Sequence, residues 1–264
     1  MIRSMASDDL KLAWELADAA DAITMARFRA DDLVVETKPD MTPVSEADRA
    51  VEQRLGELLA ERRAGDGLIG EEFGGDGLGG RRWIIDPIDG TKGYVRGMPV
   101  WATLLALEEE GEVTTAVVSA PAMGRRWWAA RGHGAFTNRS TAAEQSRPLR
   151  VSAIARLEDA QVCYGDVDWY ERTGCLDGLL ELIRGCWRAR GFGEFWQYML
   201  VAEGVAEVAS DPSVKLWDLA APMLVVQEAG GRFSDFTGLA TADGGSGLAS
   251  NDLLHDVALA ALSG

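Results

Sequence analysis

The first sixty residues carry the hydrophobic spacing of two amphipathic helices. Apolar positions recur every three or four residues from 8 to 28, which predicts a helix over that range. A second helix is predicted from Ser45, because Ser45 and Asp48 have capping-box spacing and an apolar stripe follows them. The connection at 37–43 is rich in Pro and Thr.

The pattern then changes to short apolar runs joined by short loops. Runs at 68–70, 83–85, 100–108, 113–120 and 127–131 predict a mostly antiparallel sheet. A polar stretch at 137–148 is a predicted linker. Beyond it, strands are predicted at 160–164, 187–190, 205–209 and 232–236, and helices at 177–183, 195–203, 219–229 and 252–262. We therefore expect an N-terminal α+β subdomain at 1–147 and a C-terminal α/β subdomain at 148–264.

Composition excludes several classes of protein. The longest largely apolar run, 100–107, is far shorter than the roughly 18 to 20 residues of a membrane span. The N-terminus lacks the apolar core of a signal peptide, so we expect a cytoplasmic protein. A formal net charge of −16 argues against nucleic-acid binding. An anionic ligand would need a metal ion or a local pocket of basic and amide groups.

Cysteine and histidine offer little for catalysis. Cys163, Cys175 and Cys186 lack the spacing of metal ligands, and we expect them to be reduced and structural. With only two histidines in the chain, His-based zinc sites and Ser-His-Asp triads are poor hypotheses. The candidate chemistry therefore lies with the carboxylates.

The most informative segment is 83–91, with the sequence WIIDPIDGT. An apolar strand leads to Asp86 and Asp89, and Gly90 allows a sharp bend before Thr91. Two carboxylates at this place could bind a hard divalent cation, and the amides of Gly90 and Thr91 could bind phosphate at a helix or turn start. The structural alternative is an Asp-rich turn without a ligand.

Two other acidic positions could join them. Glu71 follows an apolar strand in the sequence Gly-Glu-Glu, and Asp218 opens a helix in the sequence Trp-Asp-Leu-Ala-Ala. Each has a structural alternative, a solvated loop for Glu71 and a helix N-cap for Asp218. Because all these donors are oxygens, a joint site would favour Mg²⁺ over Zn²⁺.

The three motifs, in this order and followed by Glu-Ala-Gly-Gly at 228–231, resemble those of the inositol monophosphatase family of metal-dependent phosphomonoesterases. The resemblance covers nearly the whole chain. It implies a layered αβαβα sandwich of the inositol monophosphatase and sugar phosphatase type, with α+β and α/β parts. Lys92 and the segments 96–97, 99–101 and 125–132 most resemble the histidinol-phosphatase branch.

The resemblance also implies metal ligands. Glu71, Asp86 and the carbonyl of Ile88 match the ligands of a first ion. Asp86, Asp89 and Asp218 match those of a second. A third, weaker ion is implied near Glu71, so two or three Mg²⁺ ions are expected at the site.

Other positions match residues that handle water and phosphate. Asp48 and Thr91 match the pair that orients or deprotonates the attacking water, and Glu71 is counted with them as catalytic. The amides of Gly90 and Thr91 match the phosphate cradle. Asp48 also has a structural explanation as the capping-box acid. Lys38 matches a basic position of the family by place only, and a solvated lysine is the alternative.

Glu194, Asp211 and Phe192 lie where the family contacts the organic part of its substrate. Histidinol phosphate carries an ammonium group and an imidazole ring, so Glu194 is a candidate partner for the ammonium. Its alternative is a favourable acid in a first helical turn, and for Asp211 the alternative is a loop acid. Phe192, Trp196 and Tyr94 could pack on the imidazole or belong to the core.

Three features bear on specificity and assembly. Gly93 stands where the family usually has Asn, which could alter the loop and its specificity. Arg125 and Arg126 are expected on a solvated face. Trp127 and Trp128 point to opposite faces of a strand, so we expect one of them at a subunit contact. The resemblance implies a homodimer.

The function implied by the resemblance is Mg²⁺-dependent hydrolysis of L-histidinol phosphate to L-histidinol and phosphate, late in histidine biosynthesis. Metal-activated water would attack directly, without a phosphoenzyme. Inhibition by lithium is also implied. The nearest alternative is the same chemistry on inositol monophosphate or another small sugar or polyol phosphate. A non-catalytic regulatory protein of the same fold is the alternative from another class.

Overall fold

The computed structural model describes residues 7–39, 41–75, 80–138 and 146–263 of the 264-residue chain. The elements before residue 150 are α1 (Asp8–Arg27), β1 (Val35–Thr37), β2 (Pro43–Ser45), α2 (Glu46–Arg62), β3 (Gly67–Gly70), β4 (Arg81–Asp89), α3 (Thr91–Val95), β5 (Ala102–Glu109), β6 (Glu112–Ala120), β7 (Arg125–Ala130), β8 (Ala135–Asn138) and β9 (Arg147–Pro148). Those after it are β10 (Gln161–Tyr164), α4 (Val167–Thr173), α5 (Leu176–Gly185), β11 (Arg188–Arg190), α6 (Glu194–Ala202), β12 (Val208–Asp211), α7 (Leu216–Glu228), β13 (Arg232–Ser234), β14 (Gly247–Ser250) and α8 (His255–Leu262).

The strands β3 to β14 form two sheets. The seven-stranded sheet has the order β3-β4-β5-β6-β7-β8-β9, and the five-stranded sheet has the order β11-β10-β12-β14-β13. In the larger sheet β3 and β4 are parallel, and the other neighbours are antiparallel, as the sequence predicts. β1 and β2 pair separately as an antiparallel ribbon.

Alternating strand residues build the layers. Trp83 and Ile85 face α1 and α2, whereas Ile84 faces α6 and α7. In the smaller sheet Cys163 faces the α6 and α7 layer, and Val162 faces α4, α5 and α8. The order is therefore helices, sheet, helices, sheet, helices, which confirms the predicted αβαβα sandwich.

The predicted linker is wrong at both ends. Thr137 and Asn138 belong to β8, and Pro148 in β9 pairs with Phe136. Residues 139–145 of that prediction lie outside the described residues. The sequence analysis also missed the β1–β2 ribbon, α4 and β14, whose segments contain few consecutive apolar residues. The subdomain boundary at 147/148 stays a prediction.

The side chains of β7 also differ from the prediction. Trp127 and Trp128 are both buried, because each face of the larger sheet is covered by helices, so neither is exposed for a subunit contact. Arg126 is not solvated, since it is buried and its guanidinium pairs with Asp18 and Asp21 of α1. The homodimer stays a prediction.

Two further observations concern the chain as a whole. The three cysteines, which all lie in described ranges, form no disulfide. Among the described helices, none combines the length and the apolar character needed to cross a bilayer.

Candidate active site

The end of β4 presents two aspartates on one side of the sheet. Asp86 pairs with Leu104 of β5, and the next partners along the ladder are Asp89 and Ala102. Three steps on β4 thus oppose two on β5, which is a β-bulge of one extra residue. Residues three apart on a regular strand face opposite sides, so the bulge turns Asp89 to the side of Asp86.

The bulge is held by hydroxyl groups and ends in a glycine. Thr103 Oγ1 donates to the carbonyl oxygen of Pro87 (2.8 Å), and Thr91 Oγ1 donates to that of Ile88 (2.9 Å). Gly90 has a φ of 90°, and a Cβ there would lie 3.0 Å from a carbonyl oxygen of the neighbouring segment. The chain therefore needs glycine at this bend, and α3 begins at the next residue.

Asp218 completes a cluster of three carboxylates. It lies in the first turn of α7, where its Oδ2 accepts the Lys215 N–H at 2.7 Å. One oxygen from each of Asp86, Asp89 and Asp218 lies within 4.8 Å of the others. Asp218 is thus the third residue of α7 rather than its N-cap, and it accepts the N–H of the N-cap residue Lys215 while it belongs to the cluster.

Glu71 lies in the turn after β3, with Lys38 against it. The Lys38 Nζ is 2.8 Å from Glu71 Oε1 and 2.6 Å from Glu72 Oε1. Burial opposes the charge of Lys38, but these two bonds raise its pKa above the ordinary lysine value. Lys38 is therefore paired at the edge of the site rather than solvated. The charge of Glu71 contributes to the raised pKa values of Asp86 and Asp218.

The protein leaves much of the negative charge of this cluster uncompensated. Burial raises the pKa of Asp86 and Asp89 well above the usual range, and nearby carboxylates raise both further. Burial and the charges of Glu71 and Glu194 raise the pKa of Asp218 to about 7. Asp86 Oδ1 is buried and accepts no hydrogen bond from any residue that the structure describes.

These observations test whether the site suits a metal ion. The donors are carboxylate oxygens, they converge on one point, and one of them is buried without a partner. A hard divalent cation would supply both the missing partner and the missing positive charge. The residues therefore fit a metal centre.

Asp48 divides its two oxygens between a helix cap and Thr91. Its Oδ2 accepts the Ser45 N–H (2.8 Å) and the Ser45 hydroxyl (2.6 Å), which confirms the predicted capping box. Its Oδ1 lies 3.2 Å from Thr91 Oγ1. Burial, helped by the charges of Glu72 and Glu71, raises the pKa of Asp48 to about 6 despite the bonds from Ser45. Asp48 and Thr91 are thus in contact beside the cluster.

The start of α6 also reaches the cluster. The Phe195 N–H donates to Asp89 Oδ2 at 2.6 Å. Glu194 has a φ of 52°, a left-handed conformation that is uncommon outside glycine. The residue as a whole is exposed, but loss of hydration at its carboxylate raises its pKa. The nearby charge of Lys92 acts in the opposite direction. The sequence analysis missed the Phe195 amide, because a backbone donor leaves no side-chain signal.

Asp211, at the end of β12, has partners within the protein. Tyr198 donates its hydroxyl to Asp211 Oδ2 at 2.9 Å, and the Gln197 amide group donates to the same oxygen. Burial, with the nearby Glu194 charge, raises the pKa of Asp211 well above the usual range. Only Oδ1 is left for a further partner, so Asp211 is less available than a simple loop acid.

The three candidate aromatic residues divide into two groups. The rings of Phe192 and Trp196 lie 4.7 Å apart and pack, partly buried, on the central core. Tyr94 is buried and donates its hydroxyl to the carbonyl oxygen of Thr24 at 2.8 Å. The core alternative therefore holds for Tyr94, while Phe192 stays a candidate.

Comparison with known proteins identifies the family. The sequence model of the inositol monophosphatase family matches residues 5–263. A histidinol-phosphatase of Streptomyces coelicolor is 53% identical over 97% of each chain, and one of Mycobacterium tuberculosis is 50% identical over 98% of this chain and 99% of its own. A solved IMPase structure from Thermotoga maritima is 30% identical over 97% of both chains, with a TM-score of 0.85. This protein therefore belongs to the inositol monophosphatase family.

Proposed function

We propose that the protein is a Mg²⁺-dependent phosphomonoesterase that hydrolyses L-histidinol phosphate to L-histidinol and inorganic phosphate. The observation that carries the proposal is the 50–53% identity, over nearly the whole chain, with two relatives named histidinol-phosphatase. The site supports it, because the charges of Glu194 and Asp211 act on Asp89 of the oxygen cluster, and such acids suit a cationic substrate.

In this proposal the carboxylates hold two or three Mg²⁺ ions. Asp86, Asp89 and Asp218 would hold one ion. Asp86, Glu71 and the carbonyl of Ile88 would hold another, and Glu71 would contribute to a weaker third. The Ile88 oxygen already accepts the Thr91 hydroxyl, but a carbonyl has a second lone pair. When bound, the ions would offset the charge of the phosphate dianion and lower the pKa of a bound water.

Thr91 and Asp48 are the proposed residues for orienting the attacking water. The Thr91 hydroxyl has one proton, which can turn from the Ile88 carbonyl oxygen (2.9 Å) to Asp48 Oδ1 (3.2 Å), and the hydroxyl oxygen then presents lone pairs to a water molecule. The amides of Gly90 and Thr91, at the start of α3, are free of intrahelical acceptors by position and suit a phosphate oxygen. Because water attacks directly, no side chain acts as a nucleophile.

Glu194, Asp211 and Phe192 are the proposed residues for the leaving group. Glu194 would pair with the ammonium of histidinol, and its strained φ indicates that the surrounding loop holds it in place. Asp211 would contribute its remaining oxygen. Phe192 would pack against the imidazole. A neutral polyol phosphate offers no charge to these acids, which favours histidinol phosphate over inositol phosphate.

Phosphate release tests the proposal directly. Histidinol phosphate and inositol 1-phosphate are compared at matched concentrations with Mg²⁺, with excess chelator, and with Mg²⁺ restored. We expect a strong preference for histidinol phosphate, loss of activity with chelator and its recovery with Mg²⁺. Equal rates, or a preference for inositol 1-phosphate, would overturn the substrate assignment and keep the metal chemistry. Release from neither substrate would favour the regulatory alternative.

A further inference from the structure

Glu52 is a buried acid that the site described above does not use. It lies on α2 one turn beyond Asp48, and only 2% of its surface is exposed. Its Oε2 accepts the Glu72 N–H at 2.7 Å, and its Oε1 accepts the Phe73 N–H at 2.9 Å. One carboxylate thus binds two successive backbone amides of the turn that carries Glu71.

The turn itself is short and has little regular structure. It follows β3, and the bond from the Gly70 N–H to the Gly74 oxygen (3.1 Å) closes it. Glu52 fits closely against its start, because a Cβ at Gly70 would lie 2.0 Å from Glu52 Oε1. The absence of a side chain at position 70 therefore lets the Glu52 carboxylate reach both amides.

The turn has to hold Glu71 against electrostatic repulsion. The charge of Glu71 adds to the raised pKa values of Asp86 and Asp218, so these acids oppose its approach. Hydrogen bonds to an ionised acceptor are stronger than neutral ones, and two of them restrain the backbone next to Glu71. Lys38 acts on the side chains of Glu71 and Glu72, whereas Glu52 acts on the backbone.

We propose that Glu52 is a positioning residue for the metal centre, which fixes the 71–74 turn so that Glu71 stays near Asp86 and Asp218. The inference rests on the proposed role of Glu71 as a metal ligand. Residues that orient metal ligands typically change metal affinity about 10- to 100-fold when they are replaced. Glu52 touches neither substrate nor metal, so its effect reaches the reaction through Glu71.

The substitution Glu52→Gln separates this role from simple packing. Glutamine has nearly the same shape, but it offers one acceptor oxygen, and its amide group would face the second N–H with another donor. The matched control is Glu57→Gln, an exposed glutamate on the same helix.

Two measurements on the full chain report on the role. Calorimetric titration with Mg²⁺ gives the dissociation constant, and hydrogen exchange followed by NMR gives the protection of the Glu72 and Phe73 amides. For Glu52→Gln we expect Mg²⁺ binding about 10- to 100-fold weaker and faster exchange at one or both amides, with kcat largely recovered at saturating Mg²⁺. Glu57→Gln should match the wild type in all three.

The outcomes distinguish this inference from the proposed function. If the wild type binds Mg²⁺ and Glu52→Gln has the same Mg²⁺ affinity and the same amide protection, the role of Glu52 is overturned and the proposed function is not. No Mg²⁺ binding by the wild type would overturn both. If Glu52→Gln does not fold, Gly70→Ala takes its place, because the added methyl group displaces the Glu52 carboxylate from the amides. Unchanged Mg²⁺ affinity in Gly70→Ala would then contradict the proposal.

Discussion

Two residues of the site serve structure and chemistry with the same carboxylate. Asp48 caps α2 with Oδ2 and contacts Thr91 with Oδ1, and Asp218 caps α7 while it joins the acid cluster. Replacing either by alanine would remove the acceptor for the N-cap N–H, along with the proposed role in the site. Asparagine variants keep an acceptor for the cap and are the better probes.

Glu194 is the proposed determinant of the substrate preference. In Glu194→Gln we expect kcat/KM for histidinol phosphate to fall about 10- to 100-fold, because a bond to a charged group is worth about 1.5–3 kcal/mol. The value for inositol 1-phosphate should change little. Steady-state kinetics on both substrates measures this, with the exposed Glu181→Gln as control. An equal loss on both substrates would contradict the ammonium-binding role.

His255 makes the fold sensitive to acid. Its two ring nitrogens lie 2.9 Å from Ser234 Oγ and 3.0 Å from Ser250 Oγ, and burial lowers its pKa to about 4. The unfolded chain binds this proton more readily, at about pH 6.5, so the contribution to stability is complete above that pH and is lost as the pH falls toward 4. At pH 5 we expect a loss of about 2 kcal/mol.

Urea unfolding at pH 7.5 and 5.0 measures this loss of stability. The His255→Gln protein is the comparison, because the other titrating groups are present in both proteins. We expect the variant to be less stable at pH 7.5 but to lose less between the two pH values. An equal loss in variant and wild type would show that another group titrates.

Among single residues, the sequence located those with a motif and missed those without one. Asp86, Asp89 and Asp218 stand in short motifs, and the fold brings their oxygens together, while Glu71 acts on Asp86 through its charge. Glu52 has no such signal, since a lone glutamate on an amphipathic helix resembles a surface acid. Its contacts depend on where the 71–74 turn folds back on α2, which no local pattern records.

At the scale of elements, α1 is fastened to the larger sheet by a buried ion pair. Arg126 of β7 is fully buried, lies 2.7 Å from Asp21 and 2.8 Å from Asp18, and covers the ring of Trp14. Burial raises the pKa of Asp21, which the Arg126 charge opposes. This guanidinium therefore compensates an acid at the helix–sheet contact.

Arg126→Met should destabilise the protein by about 3–5 kcal/mol, because it leaves Asp21 buried without its partner. Chemical unfolding measures the change. The control is Arg62→Met, which removes an exposed pair between α2 and Glu15 of α1 and should cost about 1 kcal/mol or less. Adding Asp21→Asn to Arg126→Met should recover part of the loss. A change in Arg126→Met no larger than in the control would contradict this account.

The apolar pattern predicted most elements, including short strands such as β10 and β13, but it missed several others. The ranges predicted for α1 and β6 agree with the structure within one residue at each end. β8 and β9 lie in or beside a polar stretch whose pairing depends on the larger sheet, and β14 follows a segment rich in glycine. Their pairing depends on the neighbouring strands and not on an apolar pattern of their own, so local periodicity carries little information about them.

At the scale of the whole molecule, the metal centre links binding to stability. Its acids repel one another when no cation is present, so Mg²⁺ should raise the melting temperature. At about 100 times the dissociation constant the gain is about 2.7 kcal/mol, or roughly 5–10 °C for a chain of this size. Thermal melts with and without Mg²⁺ measure it.

Asp86→Asn should abolish most of that rise. Without metal, the variant should melt at or above the temperature of the wild type, because one of the mutually repelling charges is gone. The exposed Asp31→Asn should keep the full Mg²⁺ effect. A large Mg²⁺ shift in Asp86→Asn would place the responsible ion elsewhere.

The bulge at the end of β4 also restricts how the gene can change. Deleting either residue between Asp86 and Asp89 would restore a regular ladder with β5 and would keep both carboxylates on one side of the sheet, but it would remove the unpaired stretch that offers the Ile88 carbonyl to the site. A more regular sheet would then mean an incomplete site. Codon insertions and deletions should therefore be eliminated by selection at this place, even where they leave folding intact. Spacing, as much as residue identity, is what descendants of this chain have to inherit.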